Sequence, residues 1–484
     1  MREIVINNFQ KGIADSPHLG IGDMRNLDVS SEPGVAQINF RTVNSTATLD
    51  FVKWMVVDPN TPSRIFALGD TSKLYKSTDS GDTWAQVTGN TAASGQGMTM
   101  WKNAVLVALG NRLEVLESPY TSANWTTSFG SNFAGDTDFH PMITGQDDIV
   151  YGGAGRYIFT LQENANSVFQ AGTAATYTMA TAALDLPQDY RVKCLEELGA
   201  DLMIGTTKGT NTQDFNVADI FPWDRTSDTF ALPVRIAEPG VHQMKNIGNV
   251  LYVAAGVNGN YYVTNGTTAR KEFTLPRNVL TLTPSTYTKL FPAAIAAYQE
   301  GVLLGVGSST FGIGGNGVWG YKDKAITIDN IVSNGEDGSG TANIEIGAIQ
   351  VIAGNSYLVS WSYGGVSFGI DKVSTTRYTN YAAFCESQYI PVGSRTNPVP
   401  FSEIEFTLTE PLASGQGVRL KYRTNLSESF TTIGTYDAAT YGTATMNFID
   451  SLGVTAEGGI QIRCELTTGA GSTTTPSLRE IRLR

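Results

Sequence analysis

The sequence predicts an all-β protein: a β-propeller of seven units followed by a C-terminal β-sandwich. Three observations carry that prediction. Short apolar runs alternate with Gly, Asn, Ser, Thr and Asp punctuation, and helical periodicity is nearly absent. One hairpin unit recurs every roughly 40–55 residues, the range of four-stranded propeller blades. The pattern then changes near Pro398-Val399-Pro400 to strict apolar/polar alternation.

The recurring unit is an apolar strand, a turn, usually Gly-bearing, and a second strand bearing an aromatic or aliphatic residue. It occurs at 64–68 with 73–75, 104–108 with 112–115, and 148–151 with 156–159. It returns at 201–205 with a poorer second strand, then at 250–253 with 260–263, 301–305 with 317–320, and 356–360 with 366–370. One blade cannot bury both faces of its small sheet. Radial stacking buries each blade against its neighbours and leaves only short edges. The Val, Leu and Gly of each first strand suit the crowded axis. A run of independent hairpins in one large sandwich is the competing arrangement. Two short segments, 189–198 and 292–299, are the best helix candidates.

Residues 51–397 are therefore assigned to the propeller. Residues 398–484 read as a sandwich, because Ile404/Phe406/Leu408, Val418/Leu420/Tyr422 and Ile460/Ile462/Cys464/Leu466 each place one face inward. Residues 1–50 fit neither pattern. Their short strands at 4–6 and 36–40 either close the ring or form an arm to a neighbour.

Composition excludes several function classes. The formal charge is −12, from 33 basic and 45 acidic residues. That lacks the basic footprint of a sequence-specific nucleic-acid reader. An acidic surface could line a passage for DNA by repulsion, although an ordinary soluble surface is the simpler reading. No alternating basic/aromatic pattern runs along the chain. The longest apolar stretch, near Leu290–Tyr298, is far short of the ~20 residues that span a bilayer. Met1–Asn8 has no apolar core of a secretory signal. The three cysteines (Cys194, Cys385, Cys464) and three histidines (His18, His140, His242) are widely spaced. The cysteines read as buried thiols, and no metal or cofactor is expected.

The most specific motif is Ser77-Thr78-Asp79-Ser80-Gly81-Asp82-Thr83-Trp84. Asp79 can accept turn N–H groups, Gly81 can take positive φ, and Trp84 can pack between sheets. With Ser77 and Thr83, these residues resemble the Asp-box, S-x-D-x-G-x-T-W, of BNR-type propellers. A degenerate copy, Ser118–Trp125, keeps only the Ser and Trp. The resemblance raises sialidase chemistry, which needs placed carboxyls or a Tyr nucleophile with partners. The nearest equivalent of the sialidase arginine motif, Ser63-Arg64-Ile65-Phe66, lacks its proline, so an enzyme is not expected. Gly312–Gly317 matches G-x-G-x-x-G, but Val318-Trp319-Gly320-Tyr321 after it reads as strand, not as a phosphate-holding helix. Asn334–Gly340 lacks the ordered acids of a calcium loop. Asp147-Asp148 reads as a turn. Asn44-Ser45-Thr46 and Asn265-Gly266-Thr267 are formal glycosylation sequons.

The stretches Asn8–Pro17, Gly22–Val29 and Pro33–Val35 look like the start of structural proteins from tailed bacteriophages. Arg419–Asn425, Gln461–Arg463 and Pro476–Leu483 are similar to tail components as well. Nozzle or tail-hub proteins of short-tailed phages are the family this implies. The resemblance implies a non-enzymatic virion protein, assembled in the host cytoplasm as a homo-oligomeric ring around the DNA exit channel. It also implies adaptor and fibre proteins as partners, and passage of DNA without sequence-specific binding. A carbohydrate- or receptor-binding tail protein is the alternative, and a glycosidase the third reading.

Overall fold

The computed structural model describes residues 3–13, 21–32, 34–48, 50–127, 129, 139–208, 217–275, 288–299, 301–308, 316–330, 332, 344–354, 356–442 and 444–484. Gly312–Gly315, Asn334–Gly340, Asp15–Pro17 and His18 lie outside them.

Seven antiparallel sheets form a propeller. Blade 1 runs Val52–Val57, Ile65–Gly69, Leu74–Ser77 and Ala85–Val87, in that spatial order. Blades 2 to 5 repeat the order over 95–126, 142–185, 190–236 and 241–274. Blade 6 covers 295–330, with a short extra strand at Thr288–Lys289, and blade 7 begins at Ile344.

Hydrogen bonds cross every seam between blades. From blade 1 to blade 7 in order, they are Gly95 N–H to Asp70 O, His140 N–H to Gln96 O, Val192 N–H to Gly155 O, Cys194 Sγ–H to Val241 O, Gln243 Nε2–H to Phe291 O, and Ile349 N–H to Ala293 O. The last seam, from blade 7 back to blade 1, is Ser360 Oγ–H to Val52 O at 2.7 Å. The ring is closed.

Sequence units and blades are in phase, but the apolar strand of each unit is the second strand of its blade, not the axial one. Ile65–Gly69 and Ala104–Leu109 are buried at every residue, because neighbouring blades cover both faces. The axial strands are more polar and kinked. β-Bulges interrupt five of them, between Val52/Trp54, Gly95/Gly97, Val192/Cys194, Val241/Gln243 and Ile346/Ala348. Both helix expectations are overturned. Segment 189–198 holds the strand Tyr190–Leu198, and 292–299 holds Ile295–Tyr298. Each is the axial strand of its blade and is paired by the next strand, and helices this short are marginal without tertiary support. Among the described residues the one α-helix is Ala438–Tyr441, capped by the Asp437 carboxylate.

The N-terminal segment is woven through the molecule. Its strands are β1 (Ile4–Ile6), β2 (Asp23–Arg25), β3 (Leu27–Asp28), β4 (Ala36–Ile38) and β5 (Phe40–Thr48). β5 pairs antiparallel with Ser367–Arg377 and supplies the fourth strand of blade 7. Of the two roles open to this segment, β5 takes ring closure.

Beyond blade 7 come β6 (Ala383–Glu386), β7 (Ile390–Pro391), β8 (Val399–Leu408), β9 (Gly417–Arg423), β10 (Thr431–Asp437), β11 (Asn447–Ala456), β12 (Gly459–Thr467) and β13 (Ser477–Leu483). One sheet orders β3-β4-β13-β8-β11, with β1 also on β13. The other orders β2-β6-β12-β9-β10, with β7 on β12. β2 also pairs in parallel with Ala325–Asn330 of blade 6, so blade and C-terminal sheet are one continuous sheet. Ile404, Phe406 and Leu408 of the first sheet share a core with Val418, Leu420, Ile460, Ile462, Cys464 and Leu466 of the second. Phe406 stands 4.8 Å from Tyr436 and 4.6 Å from Phe448, ring to ring. The strands of these sheets come from 4–38 and 383–391 as well as from the segment after residue 398.

Candidate functional site

Ser77 ends the third strand of blade 1 and Ala85 opens the fourth, so Ser77–Trp84 is the turn between them. Asp79 organises it. Its Oδ1 accepts from Ser77 Oγ at 2.8 Å and from the Thr83 N–H at 2.9 Å. Its Oδ2 accepts from Thr83 Oγ1 at 2.6 Å. Ser77 Oγ in turn accepts from the Gly81 N–H at 2.8 Å. Burial opposes the charge on Asp79, but the Thr83 and Ser77 hydrogen bonds outweigh it and hold the carboxyl down at about 2.

The turn faces the ring closure. Gly81 has φ +87°, and a Cβ there would sit 2.7 Å from Leu358 of blade 7. Trp84 Nε1 donates to Gly81 O and to Ser45 Oγ of β5, each at 3.2 Å. Lys372 of blade 7 reaches Asp82 at 2.7 Å. All five motif residues, Ser77, Asp79, Gly81, Thr83 and Trp84, thus join one structure at the seam between blades 7 and 1. The hydroxyls of Ser77 and Thr83 are both bonded to the Asp79 carboxylate, so the three side chains fasten the turn.

The degenerate copy holds the same station in blade 2, between Arg112–Glu117 and Trp125–Thr126. Without an Asp, its turn is held by Thr121 and Asn124 side chains at 2.5 Å. Trp125 packs on Gly89, where a Cβ would fall 2.8 Å from the indole. Arg64 is tied to Asp58 at 2.7 Å and lies 4.9 Å over the Tyr120 ring. Asp147 accepts from Tyr151 OH at 2.5 Å, and Asp148 sits at φ +64° in the turn that links the strands. Among the described residues no three His, Cys, Asp or Glu side chains converge as a metal site.

Two clusters escaped the sequence reading. At the axis, Lys53 of blade 1 and Lys193 of blade 4 each lie 5.9 Å from the Phe139 ring. Phe291 stands 6.3 Å from Phe139 and 5.3 Å from Lys53 Nζ. Side chains from blades 1 and 4 therefore meet at one aromatic ring. Lys53 and Lys193 occupy bulged positions, as does His242. Burial, reinforced by the Lys193 ammonium, pulls His242 down to about 4. A bulge is an insertion of one residue and leaves no periodic trace.

The second cluster covers the outer face of the β2-β6-β12-β9 sheet. Arg463 lies 3.7 Å over Phe384, Arg25 lies 5.3 Å from the same ring, and Arg423 stands 4.4 Å from Phe430. Strands distant in sequence thus assemble the basic/aromatic pattern that no single stretch contains. The cations are held by carboxylates beneath them. Glu465, with its side chain 2% exposed, pairs with Arg419, Lys421 and Arg463. Burial and the Asp23 charge raise Glu386 beside them.

The chain matches no protein-family profile and no curated protein. Among solved structures it is similar to other propellers. The β-propeller domain of Myceliophteria thermophila Cps50 (Swd1) is 8% identical, with 69% of this chain and 100% of that one covered and a TM-score of 0.46. The Dos1 propeller is 12% identical, with 70% and 95% covered and a TM-score of 0.45. YCF48 bound to D1 peptide is 11% identical, with 73% and 98% covered and a TM-score of 0.48.

Proposed function

We propose that this chain is a non-enzymatic structural protein of a bacteriophage tail, of the nozzle or tail-hub type. Copies form a ring around the DNA exit channel and dock adaptor and fibre proteins. The protein is assembled in the host cytoplasm and resides in the virion. The observation that carries this reading is the course of the N-terminal segment, whose residues resemble the start of phage tail proteins. That segment pairs with the C-terminal strand, joins blade 6 to the second unit and completes blade 7. A chain tied in this way is suited to transmit load and hold position.

The meeting of Lys53 and Lys193 at Phe139 supports a channel that runs between copies and not along a propeller axis. The excess of acidic residues suits a wall past which DNA slides without adhering. The Asp-box-like turn serves this role as a latch on the ring seam. Gold-labelled antibody against the chain on purified virions tests the proposal. Label at the tail is expected. Label over the capsid shell, or none on intact and disrupted particles, overturns it.

A further inference from the structure

We infer that Cys385 and Cys464 are a cross-linking pair that closes to a disulfide at the joint between the propeller and the C-terminal sheets. The two residues are 79 apart in sequence, yet they are directly opposed on β6 and β12. Directly opposed residues on antiparallel strands hold their Cα atoms roughly 4.5–5.5 Å apart, inside the 4.4–6.8 Å span of disulfides. Both side chains point inward. Met24, Cys385, Cys464 and Leu420 form one row across β2, β6, β12 and β9, and all four are buried in one core. Burial, together with the adjacent Cys385 thiol, pushes the Cys464 thiol well above its ordinary range. The third thiol, Cys194, is buried in another cluster at the seam of blades 4 and 5 and has no cysteine beside it.

The position gives the bond a consequence. β6 is four residues long and lies between β2 and β12. It is the strand through which the continuous sheet passes from blade 6 into the C-terminal unit. A covalent tie from β6 to β12 locks that passage.

A small-molecule disulfide such as oxidised glutathione is the oxidant. The Cys385 thiolate, on the short strand, attacks it after local opening and releases one glutathione thiolate. The Cys464 thiolate then attacks the Cys385 sulfur and expels the second. Two protein thiols lose two protons and two electrons, and one glutathione disulfide becomes two thiols. The inference does not depend on the tail reading.

The test uses the full chain, unfolded under reducing conditions and refolded in a mixed oxidised/reduced glutathione buffer, so that access is not limited by burial. Alkylation after a second unfolding counts free thiols. The count is expected to fall from three to one, with one linked peptide pair containing Cys385 and Cys464. The Cys194→Ala chain should form the same link and retain no free thiol. Three free thiols, mixed glutathione adducts alone, or a link involving Cys194 would overturn the inference.

Discussion

The indole N–H of Trp84, in the first blade, donates to Ser45 Oγ on the strand that completes the seventh, 3.2 Å away. A turn specified within eight residues thereby holds together two ends of a ring that runs from Phe40 to Arg377. The same turn offers Gly81 to Leu358 and Asp82 to Lys372. Local turn chemistry and global closure are one device here.

Asp79→Ala removes the acceptor for Ser77 and for both Thr83 donors. A loss of about 1–3 kcal/mol is expected. Ser45→Ala, which removes only the hydroxyl that meets the indole, should lose about 0.5–1.5 kcal/mol. Urea denaturation at neutral pH measures both. Equal stability of Asp79→Ala and the parent would mean that the turn does not hold the seam.

Gly97 has a structural reason at the next seam but one. Its Cβ would overlap the carbonyl oxygen of His140, where blade 2 meets blade 3. That approach is backbone against backbone, with no flexible tip to yield. Gly97→Ala should lose at least about 2–3 kcal/mol, and Gly110→Ala, whose Cβ meets only Ala93 at 3.5 Å but whose φ is +58°, should lose about 1 kcal/mol. Thermal melts of the two variants check the order.

His242 makes acid stability a reading of the axis. Its folded value of about 4 lies below the ordinary 6.5. Between those values the unfolded chain binds the proton and the folded chain does not. The contribution is therefore complete above pH 6.5 and is lost as pH falls towards 4. On the order of 2–3 kcal/mol is at stake. His242→Gln should flatten the stability profile across that window, as measured by denaturation midpoints from pH 7 to pH 4.

Met24 is fully buried on β2, between the blade 6 sheet and β6. Met24→Ala should lose about 2–5 kcal/mol. Because β2 belongs to both units, the loss should appear in one transition shared by blade and C-terminal probes, not in two.

Much of this architecture is legible in the sequence, and the boundary has physical causes. The second strands of the blades stand out because neighbours cover both faces, which leaves runs such as Ala104-Val105-Leu106-Val107-Ala108. The axial strands do not stand out. Five of them are bulged, they carry Lys53, Gln96, Lys193 and His242, and two of them imitate short helices. The seam turn is legible because its partners lie within eight residues. The Cys385–Cys464 row and the Arg463–Phe384 face are not, because register between distant strands is set by the whole sheet. Hydrophobic alternation reveals that Cys464 faces inward, but it does not reveal what stands opposite.

The central claim is that the N-terminal segment fastens the ring and the second unit into one rigid body. Hydrogen–deuterium exchange of the intact chain tests it most directly. Amides of β2 and of β5 are expected to exchange as slowly as those of Ile65–Gly69 in the core of blade 1. Rapid exchange across 23–25 and 40–48, with the blades still protected, would contradict it.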